Sequence, residues 1–144
     1  ETSSASNVAA HAMSEGTMLA LGVLTLIHAP YSPALLLIDD IEYGLHPIAQ
    51  RKLMEVLKKI AESQQKQMLI TSHSPYVIDE LEAKDVWVMA TDNDGISHCQ
   101  RLDKGPNAEF ALKVLTTGEF LGAEGEEWVL DQPTQPVQEE HAHA

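Results

Sequence analysis

The chain has a single cysteine and few basic residues among its 144 residues. One cysteine, Cys99, excludes a disulfide within the chain and fits a reducing compartment, so we expect a cytoplasmic protein in which Cys99 is a buried, unreactive thiol. Nine Lys and Arg residues stand against 22 Asp and Glu residues, which gives a formal charge of −13. The overall charge therefore gives no general reason to bind nucleic acid or an anionic membrane, and any nucleic-acid contact would need a local patch or another chain.

Long apolar runs are scarce as well. The longest, "MLALGVLTLI" from Met18 to Ile27, spans about half of the ~20 residues that a membrane helix needs. We therefore predict a buried core helix here and no membrane partner. No basic segment precedes this run, so it does not have the pattern of a signal peptide.

The two ends of the chain differ in composition from the rest. Residues 1–12 are small and polar, and residues 131–144 are rich in Pro, Gln and Glu. Both are predicted to be flexible segments that flank one domain at residues 13–130. His141 and His143 lie in the acidic tail without a convergent partner, so no metal site is expected there. The first residue is not Met, which suggests a fragment or a processed product.

Between the ends, helical patterns alternate with short apolar runs. Helices alternating with buried strands predict an α/β fold with a partly parallel sheet flanked by helices and a terminal β-hairpin. The predicted elements are, in order, a helix from Ser14 to about His28, a buried strand "ALLLID", a helix opened by His46 and Pro47, a buried strand "QMLITS", a helix from Ser74 and Pro75 to about Leu81, a hairpin of "DVWVMAT" and "GISHCQRL" around "DNDG", and a helix over about 107–117.

Three carboxylates follow the first predicted strand. Asp39 and Asp40 come at its end and Glu42 comes two residues later. Four apolar residues and an aspartate are the pattern that delivers a carboxylate to a Mg²⁺ bound by nucleotide phosphates. Adjacent residues of a strand point to opposite sides, so one aspartate would hold metal while the other orients an attacking water. The simpler alternative is a pair of solvated acids that close a strand.

Two further stretches carry groups that suit phosphate chemistry. His73, in "TSHSP", follows the second strand and could hydrogen-bond a phosphate oxygen or a positioned water, or serve only as a helix cap. Ser14, Glu15 and Gly16, in "MSEGT", open the first helix, where a hydroxyl and free backbone N–H groups attract an anion. By itself this second pattern is also that of an ordinary helix cap.

The order "MSEGT", "LLLIDD", "YGLHP" and "TSHSP" resembles the second half of an ABC-type AAA ATPase head, akin to the SMC, RecF and overcoming-lysogenisation-defect ATPases. The resemblance covers roughly residues 8–130, and "TGEFLGAEGEEWVL" resembles the closing segment of such heads. It implies the C-terminal lobe of a P-loop NTPase head that uses ATP and Mg²⁺ and dimerises through ATP, with DNA or a nuclease as a further partner. The roles it implies are the signature motif for Ser14, Glu15 and Gly16, Walker B for Asp39, the catalytic carboxylate for Asp40, the D-loop for "YGLHP" and the switch histidine for His73.

The sequence departs from this family in two respects. Asp40 stands where the family usually has Glu, and the shorter side chain predicts slower hydrolysis unless Glu42, on the same face if the chain stays extended, compensates. No segment matches G-x-x-x-x-G-K-[ST], so the cradle for the β- and γ-phosphates is absent. We therefore expect an N-terminal Walker A lobe from a missing segment or another chain, and an isolated chain that binds ATP weakly or not at all and hydrolyses none.

Two other functions fit parts of the sequence. A non-catalytic interaction module derived from such a head would explain both the missing phosphate cradle and Asp40. A metal-dependent phosphoesterase could use Asp39, Asp40, Glu42 and His73 as ligands, but it would leave the signature and D-loop patterns unexplained.

Overall fold

The structure, a computed structural model, describes residue 9, residues 12–31 and residues 33–131. The predicted flexible segments, 1–12 and 131–144, lie almost entirely outside the described residues, as do His141 and His143. The chain divides into two compact units, the first ending at Glu80 and the second beginning at Leu81.

Helices and strands alternate in the first unit as the sequence predicts. Its two strands pair in parallel, with Leu35 opposite Gln67 and Ile38 opposite Ile70, so the α/β class with a parallel pair is confirmed. The elements are α1 (Glu15–His28), β1 (Leu35–Ile38), α2 (Pro47–Gln64), β2 (Gln67–Ile70) and α3 (Pro75–Ile78).

Helix α2 has clear local start and stop signals. His46 caps it by accepting a hydrogen bond from the Ile48 N–H, and Pro47 occupies the first turn, where its missing N–H costs nothing. Leu53, Met54, Leu57 and Ile60 are buried along one face. The helix ends where Gln65 takes a left-handed backbone conformation. The predicted start of the helix is confirmed, whereas Val56, which the apolar spacing also predicts for the buried face, is 39% exposed.

Strand β1 was predicted to be buried on both faces, and this is wrong in the described structure. Leu36 and Ile38 are buried, whereas Leu35 is 50% and Leu37 is 71% exposed. Leu69 of β2 is 63% exposed on the same sheet. The apolar run therefore has one face in the core and one apolar face that nothing among the described residues covers.

The prediction of α1 as a buried core helix is also wrong for most of its length. It begins after Ser14 and ends at His28 as predicted, but its buried residues are Gly16, Val23 and Ile27. Between α1 and β1 runs an open apolar groove of about 530 Å³. It is lined by Met18, Leu19, Gly22, Val23, Leu26, Pro33, Leu35, Leu36, Leu37, Ile38 and Asp39.

Helix α3 is shorter than predicted, since it ends at Ile78 instead of near Leu81. The Lys58 ammonium donates to the carbonyl of Glu80. That carbonyl would accept an N–H from a later turn if the helix continued, so the side chain supplies the partner on which the helix can stop.

The second unit contains the predicted hairpin. Strands β3 (Trp87–Thr91) and β4 (Ser97–Arg101) pair antiparallel. Cys99 lies opposite Met89 and is exposed, so the prediction of a buried thiol is wrong. The reason is the alternation of the strand, which places Cys99 on the same outer face as Met89, itself 61% exposed.

The last predicted helix, over about 107–117, is wrong in both length and number. The structure has α4 (Ala108–Ala111) followed by turns and a separate α5 (Thr117–Glu124). Thr116 accepts from the Glu119 N–H while the Glu119 carboxylate accepts from the Thr116 N–H, a capping box that starts a new helix. The buried core of this unit includes Val88, Leu102, Phe120, Trp128 and Val129.

Within the described ranges, no helix is both long enough and apolar enough to cross a membrane.

Candidate functional site

The carboxyl ends of β1 and β2 meet through Thr71. Its hydroxyl donates to Asp39 Oδ1 at 2.5 Å and accepts from the Asp40 N–H at 2.9 Å. Its backbone N–H donates to the Ile38 carbonyl at 2.9 Å, and its carbonyl accepts from the Ile41 N–H at 3.3 Å. One threonine therefore fixes the positions of both aspartates. Thr71 was not among the predicted site residues, although it directly follows β2 and begins the stretch "TSHSP".

Asp39 and Asp40 do not lie on a continuing strand. Strand β1 ends at Ile38, both aspartates are exposed, and Asp40 has a φ of 46°. A left-handed conformation is tolerated by aspartate because its short polar side chain bonds locally. The premise that both aspartates lie on a strand whose alternation separates their carboxylates is therefore wrong.

Glu42 does not lie on the face of an extended chain either, because residues 41–44 form a turn. Its carboxylate reaches the loop after β2, where Oε2 accepts from Ser72 Oγ and Oε1 accepts from the His73 N–H, both at 2.6 Å. Partial burial opposes ionisation, but these hydrogen bonds outweigh it and hold the pKa of Glu42 below its ordinary value. Glu42 is therefore held as a carboxylate that binds the loop carrying His73.

His73 is exposed and lies in the loop from Thr71 to Ser74, two residues after the threonine that bonds to both aspartates. In "YGLHP", the stretch predicted to be the D-loop, His46 caps α2. Thus the loop after β1 carries the acids and the loop after β2 carries the imidazole. They are linked by Thr71 on one side and by Glu42 on the other.

The start of α1 lies against the turn of "YGLHP". A Cβ built on Gly16 would come within 2.3 Å of the Gly44 carbonyl oxygen, and Gly44 has a φ of 67°. Both positions therefore require glycine, one for close backbone approach and one for its left-handed backbone. Ser14 caps the helix by accepting from the Thr17 N–H at 3.2 Å, so the predicted helix start is confirmed. Ser14 and Glu15 are both exposed beside this contact.

The donor set fits a magnesium ion that is also held by phosphates. Asp39 uses Oδ1 for Thr71, which leaves its second carboxylate oxygen for a cation. Among the described residues, no group of three or more His, Cys, Asp and Glu side chains is placed to hold a metal by itself. Mg²⁺ characteristically binds through one or two carboxylates together with substrate phosphates, so a lone Asp39 is compatible with it.

Comparisons with known proteins agree with this architecture. A curated relative, the Septu protein PtuA of Bacillus thuringiensis, is 28% identical over 87 residues, which are 60% of this chain and 21% of PtuA. The chain thus spans about a fifth of the length of that relative. A solved SMC ATPase structure, described for ATP-driven dimerisation and DNA-stimulated activation, aligns with a TM-score of 0.50 at 17% identity and covers 72% of this chain and 60% of the other. It shows a shared fold.

The first 79 residues match a family model described as "AAA domain, putative AbiEii toxin, Type IV TA system". The matched residues include the start of α1, the two aspartates, Glu42 and the loop that carries His73. Because the match covers more than half of the chain, this protein belongs to that AAA family and is an ATPase-like domain with the fold of an SMC-type head.

Proposed function

We propose that the chain is the C-terminal lobe of an ABC-type ATPase head, which supplies the metal carboxylate, the water-positioning group, the switch histidine and the signature motif. The observation that carries this proposal is the joining of the two strand ends. Thr71 holds Asp39 and Asp40 from the loop after β1, and it lies two residues before His73.

The roles follow from the chemistry of the side chains. Bound ATP would supply the phosphoryl group, and the Mg²⁺ bound with it would neutralise the negative charge of the phosphates. Asp39, fixed by Thr71, holds the metal. Asp40, exposed and turned by its left-handed backbone, orients the attacking water. His73 donates a hydrogen bond toward the transferred phosphoryl group, where charge develops in the transition state.

The remaining part of the nucleotide site comes from a lobe with a Walker A loop. The sequence of this chain contains no such loop. Two structural features support a second lobe, the apolar face of Leu35, Leu37 and Leu69 and the groove between α1 and β1. An uncovered apolar face of this kind marks an interaction site. PtuA, whose length the chain covers by only 21%, has room for such a lobe.

The signature residues act on the nucleotide of a second head. Ser14 and Gly16 lie at the start of α1, where Gly16 approaches Gly44, whereas Asp39, Asp40 and His73 lie in the loops after β1 and β2. Two heads related by a two-fold axis would then share two nucleotides. The SMC ATPase of the aligned structure undergoes ATP-driven dimerisation, which supports the same behaviour here.

DNA or a nuclease effector is the proposed further partner. The formal charge of −13 makes this lobe a poor DNA surface. DNA would therefore be contacted by another part of the protein or by its effector. This lobe would signal to that part whether ATP is bound.

The decisive experiment compares Asp39→Asn with Asp40→Asn in the protein that also carries the Walker A lobe. Asp39→Asn should weaken Mg²⁺–ATP binding, because charge neutralisation acts on the bound state. Asp40→Asn should leave binding nearly unchanged and slow turnover, because water orientation acts in the transition state. Calorimetry and steady-state hydrolysis separate the two effects, and equal losses of binding in both variants would contradict the proposal.

The trans role of the signature is tested with Ser14→Arg. Added bulk at a close-packed interface should abolish ATP-dependent dimerisation and leave ATP binding by the monomer unchanged. Sedimentation with a slowly hydrolysed ATP analogue measures both. A variant that still dimerises, or one that loses monomer binding, would show that Ser14 does not act across the dimer.

A non-catalytic module is the second candidate, and Asp40 in place of Glu favours it. Asp40→Glu distinguishes the two, because a faster turnover would identify an enzyme limited by a short side chain. The phosphoesterase alternative gains no support, since the described residues contain no multi-ligand metal cluster.

A further inference from the structure

Within the described residues, Gln50 and Ser74 are the two buried polar residues, each 8% exposed. They bond to each other, since Ser74 Oγ donates to Gln50 Oε1 at 2.6 Å. The amide of Gln50 also donates to the carbonyl of Leu45 at 2.8 Å. Gln50 in α2 thus joins Leu45, which precedes the cap of α2, to Ser74, which precedes α3.

The connection continues on the other side of Ser74. Its backbone N–H donates to Ser72 Oγ at 3.1 Å, and that hydroxyl donates to Glu42 Oε2 at 2.6 Å. The Leu45 N–H donates to the Glu42 carbonyl at 2.9 Å. Hydrogen bonds therefore form a closed ring through Glu42, Ser72, Ser74, Gln50 and Leu45, and the His73 N–H also bonds to Glu42 from within the ring.

The Gln50 amide oxygen, the Gln50 amide nitrogen and the Ser74 hydroxyl each have a hydrogen-bond partner. The pair therefore avoids the free-energy cost of burying unsatisfied donors and acceptors. Apolar side chains could fill the same space without that requirement, often at equal or greater stability. What a ring of directional bonds adds is position. It fixes the turn of residues 42–45 relative to the loop of residues 71–74.

We propose that Gln50 and Ser74 are positioning residues that couple these two loops and thereby set His73 relative to Asp39 and Asp40. The contact of Gly16 with Gly44 places the start of α1 against the same turn, so the signature region adjoins one end of the ring. The catalytic consequence rests on the proposed function, whereas the coupling itself is a property of this chain.

Amide hydrogen exchange of the 144-residue chain, followed by NMR, tests the coupling at the end remote from each substitution. Ser74 forms no hydrogen bond with Leu45 or Glu42, yet in Ser74→Ala the Leu45 amide should exchange faster. Gln50 forms no hydrogen bond with Ser72 or Glu42, yet in Gln50→Met, a side chain of similar length, the His73 amide should exchange faster. We expect about three- to tenfold in each case, the equivalent of one net hydrogen bond, and coupling must be reciprocal.

Two variants of α2 serve as controls, because they make the same kinds of substitution at positions outside the ring. Gln64→Met lies at the exposed end of α2, and Ser63→Ala removes a hydroxyl whose bond to the Ile60 carbonyl is long, at 3.5 Å. Neither should alter exchange at Leu45 or His73. The proposal is overturned if Ser74→Ala and Gln50→Met accelerate only neighbouring amides. It is equally overturned if all amides of α2 and β2 accelerate alike, since that pattern is a loss of global stability.

A second measurement in the protein with the Walker A lobe shows the catalytic consequence. Ser74→Ala should lower kcat about tenfold at an unchanged KM for ATP, because position matters in the transition state. An unchanged kcat would limit the ring to a structural role and overturn the positioning claim. If the unsubstituted protein does not hydrolyse ATP, the proposed function fails, and the exchange experiment alone decides the coupling.

Discussion

Glu42 in the first unit and Asp92 in the second are similar carboxylates in different settings. Each accepts hydrogen bonds from a segment that contains a histidine, and each has a pKa below its ordinary value. Asp92 binds the Asp94 and Ile96 N–H groups at 3.0 and 2.9 Å and the His98 ring at 2.8 Å. Its partners are within six residues, whereas those of Glu42 are 30 and 31 residues away.

The sequence separation between each carboxylate and its partners shows that Asp92 belongs to a local turn, whereas Glu42 joins two distant segments. Asp92 stabilises the hairpin turn in which it lies, and a nearby aspartate, glycine and histidine are sufficient for that. Glu42 can make its contacts only after two parallel strands have aligned their ends. Because β1 and β2 end together, chemically useful groups from distant segments meet there, as they do at the carboxyl edge of open α/β sheets.

The largest expected effect on stability comes from comparing the close backbone contact at Gly16, in the first unit, with the turn at Gly95, in the second. Gly16→Ala would place a Cβ 2.3 Å from the Gly44 carbonyl, so we expect it to destabilise the chain by about 2 to 3 kcal/mol. Gly95→Ala meets no neighbour but has a φ of 81°, so only backbone strain of about 1 to 2 kcal/mol is expected. Urea unfolding followed by circular dichroism measures both.

Gly22→Ala, also in α1, provides the control. No atom lies within 4 Å of its added Cβ, so it should stabilise the helix by about 0.5 to 1 kcal/mol. If Gly16→Ala is as well tolerated as Gly22→Ala, the start of α1 does not contact the turn of Gly44.

The acid dependence of stability provides a second comparison. Both carboxylates have a folded-state pKa below the ordinary value, so each stabilises the chain above the ordinary pKa and loses that contribution as the pH falls through the folded-state pKa. The ordinary values are 4.5 for Glu42 and 3.8 for Asp92. Glu42→Gln should therefore lose less stability than the parent as the pH falls below 4.5.

The two units can be observed separately in this experiment. Both tryptophans, Trp87 and Trp128, lie in the second unit, so their fluorescence reports that unit, while the helical signal is dominated by α1 and α2. Glu42→Gln should change the acid dependence of the helical signal, and Asp92→Asn that of the fluorescence. An unaltered acid profile in Glu42→Gln would show that its carboxylate is not held by Ser72 and His73.

The smallest expected effect concerns two threonines. Thr71→Val removes the hydroxyl that links Asp39 to Asp40, while Thr91→Val removes only a 3.3 Å contact with Ser97. We expect Thr71→Val to cost about 1 kcal/mol of stability and to weaken Mg²⁺–ATP binding in the complete head. Thr91→Val should be nearly neutral in both. Equal effects would mean that Thr71 does not orient the aspartates.

The prediction of elements from sequence succeeded where local signals were strong. The His46–Pro47 start of α2 and the "DNDG" turn are confirmed, because caps and turns depend on residues close in the chain. The single helix predicted over 107–117 is wrong because the first helix ends at Ala111 and the capping box at Thr116 starts another. The exposed faces of α1 and β1 were missed because apolar composition alone does not say which face the rest of the protein covers.

The sequence by itself determined the candidate chemistry of this protein. Two aspartates after one apolar strand and a histidine after the next predict a phosphate-chemistry site, and this assignment of residues stays a prediction. The order of the motifs also predicted the ATPase-like family that the comparisons support. These are local patterns, and residue type and short spacing carry them.

Only the tertiary structure decided how those residues are arranged. Thr71 between the aspartates, Glu42 across to His73, Gly16 against Gly44 and the buried pair of Gln50 and Ser74 join segments 24 or more residues apart. Their hydrogen bonds and backbone contacts depend on strand register and helix packing. Those are set by the burial of apolar side chains throughout the unit, and no short stretch of sequence contains them.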